Sequence, residues 1–199
     1  NTSPSSALRV QCSMFNVPHV HLYLHIPFCH RICPYCSFYK HTPGKTDLGA
    51  FVEAILDEAR FAAKKNLPPL KTIYFGGGTP SMLSPTHLRR LFTGLRTILD
   101  FSAVEEVTLE ANPATFTSRT AHLYEELGVT RVSLGVQSFI GKHLETLGRE
   151  HSPMQAITSV HLLREASNLE VSIDLIFSVP SQSLLDWEDT LTQALALQP

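Results

Sequence analysis

Residues 22–38 read LYLHIPFCHRICPYCSF: a short β-rich run that leads directly into Cys29, Cys33 and Cys36, spaced C-x3-C-x2-C. Three of the chain's four cysteines sit in this one loop. Three thiolates fall one short of the four that close a tetrahedral zinc site or an all-cysteine iron–sulfur cluster, so one coordination position is left for chemistry. Spacing alone admits three readings. A strained local disulfide would leave one thiol over, and the chain lacks the cysteine density of a stapled secreted domain. A zinc site would recruit His30, His41 or Cys12 as fourth ligand. A cluster would keep its open position.

Outward from this loop, short β-rich runs alternate with longer stretches of helical period, the pattern of consecutive βα units around a parallel sheet. Five strands are expected, at 21–26, 71–75, 106–111, 131–136 and 170–177. The first helix carries Leu48, Phe51, Val52, Ile55 and Ala59 on one face, with Thr46 or Asp47 as its cap. The second opens with Ser84 and Pro85 and buries Leu88, Leu91, Phe92 and Leu95. A third ends at Gly128 and uses Leu123 and Leu127. A fourth is capped near Ser152 and carries Val160 and Leu163, and a fifth runs through Leu184, Trp187 and Leu191.

Alternate side chains of a strand point to opposite sides of its sheet. One face holds Leu22, Leu24 and Ile26, then Ile73 and Phe75, Val107 and Leu109, Val132, Leu134 and Val136, and Val171, Ile173, Leu175 and Phe177. The other holds His21, Tyr23, His25, Glu106, Thr108, Glu110, Ser133, Gln137, Ser172 and Asp174. A closed eight-stranded barrel fills its lumen with branched apolar layers. This polar lumen instead suits an open α/β barrel around a polar cofactor. Glu110, Gln137 and Asp174 lie near the C-terminal strand ends, where such barrels place their sites. His19, His21 and His25 read as hydrogen-bonded lumen histidines rather than ligands.

Gly76, Gly77 and Gly78 follow the second strand, where glycines let the main chain approach a ligand closely. The run matches neither a nucleotide P-loop nor G-x-G-x-x-G. With 199 residues, 43% hydrophobic and 17% charged, the chain can bury one substantial core. A net charge of −2 gives no basic field for nucleic acid. No apolar run is long enough to span a membrane. Clustered free cysteines point to a reducing compartment, the cytoplasm, or an organelle matrix if residues 1–20 are a trimmed transit peptide. Residues 1–20, Ser- and Pro-rich with a single Arg, read as a trimmed or disordered tail before a core at 21–199.

The motifs LYLHIPFCHRICPYCSF, YFGGGTPSML, TLEANP, GVTRVSLGVQSF and DLIFSVPSQ, in this order from residue 22 to 182, together resemble the radical S-adenosylmethionine (SAM) superfamily. Within it they resemble the oxygen-independent coproporphyrinogen III oxidase-like family, including its heme-chaperone (HemW-like) branch. The resemblance implies an open partial (βα)6-type barrel, here truncated after about five βα units, with the family's C-terminal region absent. It implies a [4Fe–4S] cluster on Cys29, Cys33 and Cys36 whose fourth iron takes the amine and carboxylate of SAM. Tyr23, Tyr35, Gly77, Gly78, Thr79, Glu110, Gln137, Arg149 and Asp174 match positions that contact SAM. The implied chemistry is reductive cleavage of SAM and hydrogen abstraction from a substrate by the adenosyl radical. The implied partners are heme or a porphyrinogen, an electron donor and a heme-acceptor protein. The oxidases resemble C-x3-C-x2-C-x-C, whereas this chain has Phe38 at the last position. That departure favours a heme chaperone over coproporphyrinogen III oxidation to protoporphyrinogen IX.

Overall fold

The computed structural model describes residues 8–11, 19–113 and 117–199. Six strands form one sheet in chain order: β1 (Leu8–Gln11), β2 (Val20–Ile26), β3 (Leu70–Gly77), β4 (Glu106–Ala111), β5 (Arg131–Gln137) and β6 (Glu170–Leu175). Strands β2 to β6 are parallel, and β1 pairs antiparallel with β2. Helices α1 (Leu48–Ala63), α2 (Pro85–Ile98) and α3 (Ser118–Glu126) return the chain from each strand to the next. Between β5 and β6 run α4 (Gly141–Thr146) and α5 (Pro153–Ala166), and α6 (Leu184–Ala196) follows β6.

The helix starts follow local chemistry. Asp47 accepts hydrogen bonds from the amides of Gly49 and Ala50. Ser84 accepts from His87 ahead of Pro85. Ser152 and Gln155 form a reciprocal capping box around Pro153. The apolar strand face is buried as expected: Leu22, Leu24, Ile26, Ile73, Phe75, Val107, Leu109, Val132, Leu134 and Val136 all enter one core with the inner faces of α1, α2, α3 and α5. Each such Leu or Ile contributes about 1.5–3 kcal/mol of transfer free energy.

The structure departs from the sequence expectation at both sheet edges. Strand β1 lies inside the segment read as a tail and covers the outer edge of β2; the remainder of residues 1–18, including Cys12, lies outside the described residues. At the other edge, β6 ends at Leu175 rather than at 177. A register shift between Leu134 and Gln137 and positive φ at Gln137 and Ser178 turn the chain away there. Phe177 is therefore 69% exposed, and it meets the half-buried Trp187 at 6.1 Å instead of joining the core. Helix α6 runs through Leu184, Trp187 and Leu191 as expected, but the residues it buries are Thr190 and Ala194, with Leu184 and Leu191 exposed. The physical reason is position: among the described residues β6 has a neighbour on one side only, so the segment that follows it has less sheet to pack against.

Candidate functional site

The C-terminal ends of the parallel strands open onto a cavity of about 410 Å³, within the range of small-ligand pockets. All three cysteines line it, as do Tyr35, Gly77, Gly78, Thr79, Glu110, Gln137, Arg149 and Asp174. Tyr23 lies outside this wall; its hydroxyl pairs with His25 Nδ1 at 3.1 Å and its ring stacks on Tyr74. Tyr74 lines the cavity without belonging to the residues expected there. The period of two that places Ile73 and Phe75 on the apolar face also assigns Tyr74 to the lumen. His21 and His25 are hydrogen-bonded to Thr72 Oγ1 and Tyr39 O, as expected of lumen histidines, whereas the buried Nδ1 of His19 has no partner, against that expectation.

The cysteine loop is closed at its base by its own backbone. The amide of Cys29 donates to His41 O and that of His41 to Pro27 O. The His41 ring packs edge-on against Phe28, and its Nδ1 meets Thr42 O. Within the loop the amide of Cys36 donates to Cys33 O, and Lys40 Nζ donates to the carbonyl oxygens of Cys36 and Phe38. Cys29, Cys33 and Cys36 are free thiols, so no disulfide joins them.

The glycine turn meets this loop. The amides of Gly78 and Thr79 donate to Ile26 O and Phe28 O, both at 2.8 Å. A Cβ on Gly78 would stand 2.7 Å from Phe28 O, so only glycine lets the two segments touch. Gly77 has φ +115°, a conformation L side chains rarely adopt. Its amide donates to Glu110 Oε2 at 3.1 Å while Tyr74 Oη donates to Oε1 at 2.9 Å.

Charge in the cavity is mixed. Burial pushes the Glu110 carboxyl above the usual carboxylate range, against the opposing hydrogen bonds from Tyr74 and Gly77. Asp174 is likewise raised by burial, opposed by the Ser133 hydroxyl that donates to it at 3.0 Å and by Arg131 and Arg149. The Tyr35 hydroxyl is pushed up to about 12, chiefly by burial. Arg149 donates to Gly135 O at 2.6 Å and to Cys33 Sγ at 3.7 Å, and its Nε is buried with no partner.

Among the described residues no three His, Cys, Asp or Glu side chains close on a single point as the ligands of one ion do. A cubane cluster asks for something else, since each thiolate takes its own iron at a separate corner. The donor set present, three free cysteines around one cavity, fits that demand.

An open, partial α/β barrel whose first parallel strand runs into a three-cysteine loop facing a polar cavity defines a class. The radical SAM superfamily model matches residues 23–194, and the chain belongs to that superfamily. Membership implies a [4Fe–4S] cluster and SAM as cofactors. The chain is similar to the heme chaperone HemW of Lactococcus lactis, 40% identical over 81% of this chain and 42% of the relative. It is also similar to the heme chaperone HemW of Escherichia coli, 37% identical over 94% of this chain and 50% of the relative. The chain thus spans about half the length of these curated relatives or less. Among solved structures, the radical SAM enzyme coproporphyrinogen III oxidase (HemN) of Escherichia coli superimposes with a TM-score of 0.81. It is 25% identical, over 93% of this chain and 44% of the other. Among the described residues, no helix is long and apolar enough to cross a membrane.

Proposed function

We propose that residues 21–199 are the cluster- and SAM-binding core of a heme chaperone that binds heme and passes it to an acceptor protein. The observation that carries the reading is the shared cavity. Three free cysteines of one loop share it with the strand-end residues Glu110, Gln137 and Asp174 and with Arg149 from the turn between α4 and α5. Two cavity-lining carboxyls held above their usual range, the half-buried Glu110 and the more exposed Asp174, gain from a cation, and Arg149 gains from a carboxylate. SAM carries both signs, in its sulfonium and ammonium groups and in its carboxylate. Cys29, Cys33 and Cys36 would hold the cluster. Tyr35, Gly77, Gly78, Thr79, Glu110, Gln137, Arg149 and Asp174 would surround SAM, with Tyr23 supporting Tyr74 from behind.

When bound, the cluster and SAM supply one-electron reductive cleavage. The protein's own groups orient and screen the ligand. Tyr74 and Gly77 hold Glu110, Ser133 holds Asp174, and Arg149 ties the cysteine loop to β5. The cluster would draw its electron from a separate donor, in a reducing compartment such as the cytoplasm or an organelle matrix.

A second reading, oxygen-independent coproporphyrinogen III oxidase, is favoured by the HemN superposition. Phe38, 71% exposed on the cavity rim where the oxidases resemble Cys, counts against it. Anaerobic reconstitution separates the two. The chaperone reading expects a reduced-cluster EPR signal that changes on adding SAM, stoichiometric heme binding, and no CO2 release from coproporphyrinogen III. Turnover to protoporphyrinogen would establish the oxidase instead. A Cys29→Ser protein that still loads its full iron would sink the shared premise.

A further inference from the structure

Two of the three cysteine sulfurs have a side-chain hydrogen-bond donor that the cluster-binding role does not itself require. Arg149 Nη1 lies 3.7 Å from Cys33 Sγ, and Thr79 Oγ1 lies 3.6 Å from Cys29 Sγ. The second contact is built from the backbone outward. Thr79 is pinned by its amide to Phe28 O, the carbonyl just before Cys29, and Cys29 is pinned by its own amide to His41 O. The backbone thus holds the residue that carries the hydroxyl beside the residue that carries the sulfur. Cys29 is also the most buried of the three, at 8% exposure.

Resting on the cluster reading above, we infer that the Thr79 hydroxyl donates to the Cys29 thiolate of the cluster and raises its reduction potential. A donor to a thiolate sulfur offsets negative charge, and the reduced cluster carries one electron more. The hydrogen bond is therefore stronger in the reduced state. This makes Thr79 a tuning residue acting through Cys29, separate from any contact it makes with SAM.

The test is an EPR-monitored redox titration of the anaerobically reconstituted chain, with dithionite as one-electron reductant and no SAM present. Thr79→Val keeps the branched shape and loses the donor. It is expected to shift the reduction equilibrium about tenfold towards the oxidised cluster, ~59 mV more negative for a one-electron couple. Thr79→Ser keeps the donor and is expected to titrate with the unmodified chain. Equal midpoints for the Val variant and the unmodified chain, or a Ser variant that follows the Val variant, overturn the inference. Where the Val variant loads no iron, Thr79→Ala takes its place against Thr79→Ser, and equal midpoints for those two again overturn the inference. Failure of the unmodified chain to load a cluster is a different result: it removes the cluster reading, and this inference with it.

Discussion

At Gly78 a single methyl group is too much. Its Cβ would meet Phe28 O at 2.7 Å and Pro27 C at 2.8 Å, and both obstacles are backbone, which cannot swing aside. Gly78→Ala must push the glycine turn away from the cysteine loop. The expected cost is about 1–3 kcal/mol in unfolding free energy, the range for an overpacked contact. Iron uptake should fall with it, because the turn and the loop meet and form adjoining parts of one cavity wall. Urea unfolding and iron analysis read both; a variant matching the unmodified chain in both would show that the contact relaxes freely. The cavity rim is legible in the sequence because its chemistry-bearing residues sit in compact motifs. Tyr74 escapes although it opens the YFGGGTPSML motif and its parity on β3 is plain, because the site expectation falls on the glycines that follow it. The pairing of Thr79 with Cys29 is not legible at all, since fifty residues separate them.

Strand β5 and the turn into α5 are tied by a buried histidine. His151 is 3% exposed, and its Nε2 donates to Val136 O at 3.0 Å while Nδ1 has no partner. Burial first, and the Arg149 charge second, lower its pKa to about 4 from 6.5. The unfolded chain therefore takes up a proton in a range where the folded chain does not. Stability from this group is present above about pH 6.5 and is lost as pH falls through about 4. Its share of the loss between pH 7 and pH 5 is about 2 kcal/mol. Glu110 and Asp174, raised rather than lowered, act with the opposite sign. Comparison with His151→Gln cancels them, because Gln reaches the same carbonyl and does not titrate. Urea midpoints of that variant should fall less between pH 7 and pH 5 than those of the unmodified chain. The helices with cap residues and an apolar face are legible at this scale. Helix α4 is not, since six residues carry too little periodicity, and β1 offers only four.

Across the whole molecule the sheet is finished unequally. Strand β1 covers the β2 edge, whereas among the described residues β6 has one neighbour. Phe177, Leu184, Leu185 and Leu195 are each more than two-thirds exposed at this end. The ties of α6 to the rest include Lys142 to Asp186 at 3.1 Å and a hydrogen bond from Arg164 to Leu197 O. An apolar helix beside an open strand edge is an association surface. The 199-residue chain by itself is expected to self-associate with rising concentration in sedimentation velocity. Leu185→Lys with Leu195→Lys should hold it monomeric with an unchanged far-ultraviolet spectrum. Association undiminished by that pair would place the contact elsewhere.

The sequence by itself determined the alternation of strand and helix, the polar lumen and the cysteine loop, because each rests on short-range periodicity or spacing. The tertiary structure alone decided which strand became an edge, that α6 turns its leucines outward, and that Thr79 and Arg149 reach the cysteine sulfurs. Those outcomes depend on how distant segments close on one another, and no local pattern encodes a contact between residues that meet only after the sheet has formed.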